Sequence, residues 1–592
     1  MKKFLVLALS LIMTVGSLTL SACGSKDEGL VYPDIENTPA DKDSWLYNDE
    51  EFVIDWYVDY PWFTYENTSY DDIGKKVKEI TGVTIRFTSP VVNDSTMLNL
   101  LVQSDEMPDV IYVKAYQSYH AQLALEGYVY PIDELAKRWA PSLTNRIEED
   151  IYNYYSVGDH LYGLPNCGYS EKYVDEDTKW EPNGAMLVRK DWYEWYVSQP
   201  DAKDITTKAG LKDALERVEK NFASPRQKVT PLLLDEFTLE GCQSVTWLSQ
   251  YFAAPFEDEN GNYVDSRMTE QYFEAIEYLN ELNRAGLTSS TSNDSDSIGG
   301  IISRGEAFVT LVTPQNYASN FTAAYRGNNN IEYIPLIVRN DAGDDPILQD
   351  ITGYGWLLNM ITRDCERPDL VIKVFDFLYS EEGQRLTNFG IENDTWKWAN
   401  EEKTEIEWTQ KYLIGKQPDN TSLNNYGLER LNVMYNPAYI VPLTPTNALL
   451  DYELYVKNLK RPLMPYSYRY QLAWPKLDKT SKKYIDVINY ESNCLTVWSE
   501  KLALMINADK EGGALKEYNN AIELMKRRHL EDVIAFYAEA YAAGKKTAGV
   551  EKGWVAYQDS YVSPTLKNAD GTYSGDPIGA NGDNWYLLKN NG

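Results

Sequence analysis

The chain predicts an α/β protein built from at least two lobes. Three observations carry that expectation. Strand and helix patterns alternate from residue 51 onward, and such alternation predicts parallel βαβ units. The 592 residues exceed what one hydrophobic core supports, roughly 250–300. Hydrophobic residues make up 43% of the chain, and the mean hydropathy is −0.47. That is enough to fill cores, with no apolar run of membrane-spanning length after residue 20.

Order is expected to begin with the β-rich run Glu51–Val58. Tyr70 to Gly82 predicts a helix with Ile73, Val77 and Ile80 on one stripe and Gly82 as its stop. Val83–Phe87 reads as a strand, Asp94–Val102 as a helix and Asp109–Val113 as a strand. Further on, the strand Met186–Arg189 runs into a helix start at Asp191-Trp192-Tyr193. The helix Leu211–Phe222, the strand Pro231–Leu234 and an Asn-Gly hairpin over Glu257–Asn262 follow. Glu270–Ala285 is a helix stopped by Gly286, and Ala307–Val312 a strand. Leu515–Ala543 gives two helical stretches, the second stopped by Gly544, and residues 545–592 form a Gly- and Asn-rich C-terminal extension. In open sheets ligands sit beyond the carboxyl ends of strands. That rule puts Tyr60-Pro61-Trp62-Phe63 and Ala115-Tyr116-Gln117 on a binding edge.

Composition narrows the partners. With 56 Lys+Arg against 89 Asp+Glu the net charge is −33, which repels nucleic acid and anionic headgroups. After Cys23, four cysteines remain: Cys167, Cys242, Cys365 and Cys494. Their spacing is not that of metal ligands, and bridges and free buried thiols both remain open. The three histidines are far apart and outside any HExxH arrangement. No metal or other cofactor is expected. The outlier is aromatic content, with 15 Phe, 16 Trp and 46 Tyr. Tyr and Trp join a flat apolar face to a hydrogen-bonding edge; part of the enrichment is core and interface, and an excess this large also suits a protein that handles sugars.

At the N-terminus, Lys2 and Lys3 precede the apolar run Phe4–Leu20 and then Ser21-Ala22-Cys23. A charged start, an apolar core and small residues describe a signal peptide over 1–22, and the cysteine makes it resemble a bacterial lipoprotein signal. That resemblance implies a diacylglyceryl thioether on Cys23, stable because two acyl chains anchor where one binds only marginally. The expected place is the outer face of the cell membrane. Residues 23–50 read as lipidated cysteine and flexible tether, reaching about 25–30 Å, with a partly docked N-terminal arm as the alternative.

Several segments in order carry a wider resemblance: Lys78-Glu79-Ile80-Thr81-Gly82-Val83, Met107-Pro108-Asp109-Val110-Ile111 and Tyr162-Gly163-Leu164-Pro165. Then come Leu187-Val188-Arg189-Lys190-Asp191-Trp192, Gly353-Tyr354-Gly355-Trp356, Ser380-Glu381-Glu382-Gly383-Gln384 and Gly390-Ile391-Glu392. Over residues 51–544 the chain resembles the large lipid-anchored solute-binding proteins of carbohydrate ABC importers. The resemblance implies a type II periplasmic-binding-protein-like fold of two interwoven, hinged lobes with the ligand cleft between them. It also implies a monomer that delivers an oligosaccharide to permease subunits. The chain has no GxxxxGK[ST] loop, so any ATP hydrolysis belongs to another chain. Some relatives carry a calcium loop after the helix matching Leu211–Phe222. Here Ala223–Val229 has no carboxylate, so oxygen-rich coordination fails there.

Two other readings share the anchor and size. A lipid-anchored glycoside hydrolase needs two carboxylates about 5–10 Å apart, and a peptide-binding lipoprotein needs partners for backbone and charged termini. For the sugar site the candidates are Trp62, Tyr116 and Asn166 from the first lobe, and Trp247, Trp356 and Trp396 from the second. Each aromatic has core packing as its alternative.

Overall fold

The computed structural model describes residues 30–48, 50–91, 95–104, 106–115, 119–167, 178–238, 241–327, 331–350, 355–415, 421–431, 433–443, 451–471 and 477–557. Cys23 and Tyr116 lie outside them. Nine strands build two main sheets: β1 (Phe52–Val58), β2 (Val83–Thr88), β3 (Val110–Lys114), β4 (Leu164–Pro165), β5 (Ala185–Arg189), β6 (Thr230–Leu234), β7 (Ala307–Val312), β8 (Tyr333–Pro335) and β9 (Leu357–Ile361). The first sheet has the order β2-β1-β3-β9-β4 and the second β8-β5-β7-β6. β1 pairs in parallel with β2 and β3, while β9 runs antiparallel to β3 and β4. In the second sheet β7 is parallel to β6, and β5 is antiparallel to both β7 and β8. The alternation of elements thus predicts the parallel pairs correctly and misses the antiparallel strands that return from the other lobe.

Each sheet has its own apolar core. Ile54, Trp56, Val58, Ile85 and Val113 belong to one cluster, and Leu187, Leu232, Val309, Leu311 and Trp192 to another. Two lobes follow, because neither set could enclose the whole chain. The first-lobe helix Asp72–Thr81 starts where the Asp71 carboxylate accepts from Gly74 N, and it ends on left-handed Gly82. Ser380 caps Glu381–Phe389 the same way, accepting from Gly383 N at 3.1 Å. Gly383 is obligatory there, since a β-carbon would stand 1.9 Å from the Phe377 carbonyl oxygen. Gly383→Ala is therefore expected to destabilise by about 1–3 kcal/mol or more, read as a lowered urea midpoint. An unchanged midpoint would show that the helix start shifts at no cost.

Elsewhere the ends move. The last long helix runs Leu530–Ala548 and stops on left-handed Gly549, with Gly544 inside it. Helical spacing there outlasts the first glycine, which propensity alone reads as a breaker. The C-terminal extension starts as structure, since Trp554–Ala556 pairs with Ser467–Tyr470. The stretch read as tether is also partly packed. Trp45 is buried in the first core, Tyr130 donates to Val31 O, and Thr38 N donates to Arg138 O. The four cysteines 167, 242, 365 and 494 are free and buried.

One helix belongs to both lobes. Lys482–Ile506 spans 25 residues, about 37 Å. Its Tyr484 and Ile488 sit in the first core, and its Cys494, Trp498, Leu502 and Ile506 in the second. Among the described residues no helix is long and apolar enough to cross a membrane.

Candidate functional site

Topology brings the two carboxyl edges together. β4 runs parallel to β3, so the chain leaves the first sheet at its carboxyl edge, after Pro165. It enters β5 at Ala185, opposite the end of β7 at Val312. It leaves β8 at the same edge of the second sheet and re-enters the first at Leu357, beside Lys114 at the end of β3. Both crossings thus run from carboxyl edge to carboxyl edge. They are tied together where Asn183 N donates to Gln349 O at 2.9 Å and Pro182 bridges Asp350.

On the first-lobe edge, Trp62 follows β1 and is 55% exposed, with Tyr60 and Phe63 as ring neighbours at 5.6 and 6.2 Å. Trp356 precedes β9 and is 45% exposed. These are the only tryptophans among the described residues that stand largely exposed. Trp356 was expected on the second lobe; pairing of β9 with β3 puts it on the first, where its carbonyl accepts from Ala115 N at 2.8 Å. Gly355 makes this possible. It has φ +91, and a β-carbon would lie 2.5 Å from Cys167 O.

Asn166 follows β4 on the same edge but is buried, and its Oδ1 accepts from Trp356 N and Leu357 N at 3.0 and 3.1 Å. Its amide positions Trp356, so that oxygen is already occupied. Trp247 lies on the second lobe, 5% exposed, and packs directly against Gly184 just before β5. Trp396 does not join the second lobe. It is buried with Phe389, Ile406 and Ile440, and its Nε1 donates to Gly390 O at 2.9 Å. Tyr116 lies outside the described residues.

Apart from Asn166, the polar groups on these edges were not selected from the sequence. Asp59 directly follows β1 and accepts from Tyr57 OH at 2.9 Å and Ser95 Oγ at 2.6 Å. Asp235 and Glu236 directly follow β6, and Tyr317 OH donates to Asp235 Oδ1 at 2.7 Å. Burial pushes the Asp235 carboxyl up, and burial followed by the neighbouring Asp235 and Asp294 pushes Glu236 up. The same strand-end rule that chose Trp62 points to them. Attention to aromatics passed them over. Gln315 Nε2 donates to Asn183 Oδ1 at 2.9 Å, adding neutral amides to the second-lobe edge. Such an arrangement offers flat apolar faces beside acceptors and donors, which suits hydroxyl-rich ligands.

Residues able to ligate a metal gather at one place among the described residues: ligand atoms of Asp133, Glu134 and His160 lie within 4.8 Å of one another. His160 Nδ1 and Leu161 N already satisfy the Asp133 carboxylate, at 2.9 and 3.0 Å. The 223–229 stretch makes a tight turn, with Ser224 N and Gln227 N each donating to the other residue's carbonyl. At Asp258 the carboxylate accepts from Asn260 N and Asn262 N, closing the expected hairpin.

The sequence matches the family described as "Bacterial extracellular solute-binding protein" over residues 60–385. No curated protein matches it. Among solved structures, the S. pneumoniae ABC-transporter substrate binding protein FusA in complex with kestose is similar, with a TM-score of 0.64 and 15% identity over 84% of this chain and 100% of that one. Alginate-binding protein AlgQ2 without calcium ion gives 0.62 and 16%, over 85% and 100%. An extracellular solute-binding protein from Bifidobacterium longum subsp. infantis gives 0.56 and 13%, over 85% and 99%. At these identities the likeness is one of fold: two α/β lobes.

Proposed function

Since the chain belongs to the bacterial extracellular solute-binding protein family, we propose that it captures an oligosaccharide between its lobes and delivers it to the permease of an ABC importer. One observation carries the ligand class: the two tryptophans that stand largely exposed among the described residues, Trp62 and Trp356, share the carboxyl edge of the first sheet. A sugar's C–H face stacks on such rings, while its hydroxyls meet the amides of the second edge. The proteins of similar fold described as binding kestose and alginate support the same class. Binding involves no covalent step, and the chain acts as a monomer.

A thermal-shift screen with oligosaccharides tests this, because a ligand that binds only the folded state raises stability by RT ln(1 + [L]/Kd). A concentration-dependent rise supports capture. No rise with any sugar, or shortened products after incubation, refutes it.

In this reading a lipid on Cys23 holds the protein at the outer face of the membrane. The motif Leu20-Ser21-Ala22-Cys23 supports it. Cys23→Ala is expected to release the protein from the detergent-extracted membrane fraction or to stall its processing. Normal processing with unchanged membrane retention would sink the lipid assignment.

A further inference from the structure

We infer that the C-terminal extension braces the hinge by clamping both crossings onto the second lobe. Residues 178–183 and 348–350 then turn with that lobe, and the pivot lies on the first-lobe side. The inference needs only the two-lobe fold and holds for any class of ligand.

The brace is a small sheet. Leu348–Gln349, in the second crossing, pairs in parallel with Ser467–Tyr470, and that strand pairs antiparallel with Trp554–Ala556 of the extension. Asp350 N donates to Tyr468 O at 3.2 Å, and Gln471 N to Gly553 O at 2.8 Å. The first crossing is fastened by side chains as well as by its backbone bond to Gln349. Trp180 is buried against Tyr557, whose ring meets it edge-on at 5.4 Å. The Arg469 guanidinium lies 5.1 Å from the centre of the same indole. Arg469 also pairs with Asp350 at 3.7 Å, so one side chain holds both crossings. Beside Trp180, Glu181 pairs with Arg461 at 3.1 Å and with Lys460 at 3.4 Å.

These pieces belong to the second lobe. Leu348, Leu459, Leu463 and Tyr466 sit in its core. Gln250, on the helix Gln243–Tyr251, accepts from Ile347 N through its carbonyl and from Gln349 N through its side chain, both at 2.9 Å. The extension is fixed to the same lobe. Trp554 stacks on Phe256 at 4.2 Å, and Glu257 accepts from Gly553 N at 3.0 Å and Tyr541 OH at 2.6 Å. A bend at Trp180 or Asp350 would part buried rings or break a buried ion pair, and both losses are costly. Hinges bend where few buried contacts hold the chain, which leaves the first-lobe side. The helix Lys482–Ile506 agrees: it gives six residues to the second core and two to the first, so it too turns with the second lobe.

The test is an inter-lobe distance measurement on the full mature protein without ligand. Spin labels are attached, by chemistry that spares cysteine, at the exposed positions 79 and 220, on one helix of each lobe. Pulsed electron resonance should give one narrow distance distribution in the unmodified protein. In Tyr557→Ala and in Arg469→Met its width should roughly double as the pivot gains freedom. Val309→Ala, in the middle of the second sheet, should lower the melting temperature and leave the width unchanged. If Tyr557→Ala does not fold, Tyr557→Leu, which keeps apolar volume without the ring, is measured in its place. Unchanged widths in the folded Tyr557 and Arg469 variants would overturn the brace. Equal broadening in Val309→Ala would overturn it too, because the width would then follow lobe stability and not the hinge.

Discussion

Replacing Trp62 or Trp356 with alanine is expected to weaken oligosaccharide binding roughly ten- to hundred-fold, with little change in melting temperature. Covering one large apolar side chain contributes about 1.5–3 kcal/mol, and each 1.4 kcal/mol is about ten-fold in affinity. Both rings are about half exposed in the free protein, so their removal opens no cavity. Trp396→Ala provides the contrast. That indole is buried and hydrogen-bonded to Gly390 O, and truncating a buried Trp costs about 3–5 kcal/mol. Calorimetry for binding and a denaturant titration for stability separate the two classes. Normal ligand affinity in both Trp62→Ala and Trp356→Ala would move the cleft away from the first-sheet edge.

The second large effect concerns stability. Arg146→Met is expected to destabilise the first lobe by about 3–5 kcal/mol, the usual penalty when a buried charge loses its partner. Asp376 is fully buried on the helix Pro368–Tyr379 and accepts from Ser44 Oγ, Ser142 Oγ and Arg146. Arg146 also reaches Asp43 and lies over the Trp45 ring, so one guanidinium fixes the N-terminal segment to the lobe. Burial pushes the Asp376 carboxyl up, against the pull of Ser142, Ser44 and Arg146. The double variant Arg146→Met/Asp376→Leu should recover most of the loss, because an apolar pair removes the uncompensated charge. A urea titration reads both. If the single variant loses less than about 1 kcal/mol, the network behaves as a surface pair.

Much of the fold was legible along the chain. Periodicity and end signals placed β1, the helix Asp72–Thr81, β2 and β3 within a residue or two, because their apolar stripes and Gly82 are local features. The strand-end rule likewise found Trp62, and it contained Asp59 and Asp235 as well. What could not be read was any choice made by distant pairing. β9 is a short apolar run flanked by Gly355, and nothing within it states that its partner is β3, more than 240 residues earlier. The same holds for Ser44 and Asp376, which meet across the first lobe.

The sequence by itself determined part of the secondary structure, the need for two cores and the residue types available to a sugar, since these follow from composition and from periods of two and 3.6 residues. Only the tertiary structure decided which aromatics reach solvent. Trp356 stands out because Asn166 and Ala115 hold its backbone at the sheet edge. Trp396 is lost to the interior because Phe389, Ile406 and Ile440 close over it. A tryptophan carries the same chemistry in either place. Burial is set by which distant segments come to cover it, and that is a property of the assembled chain.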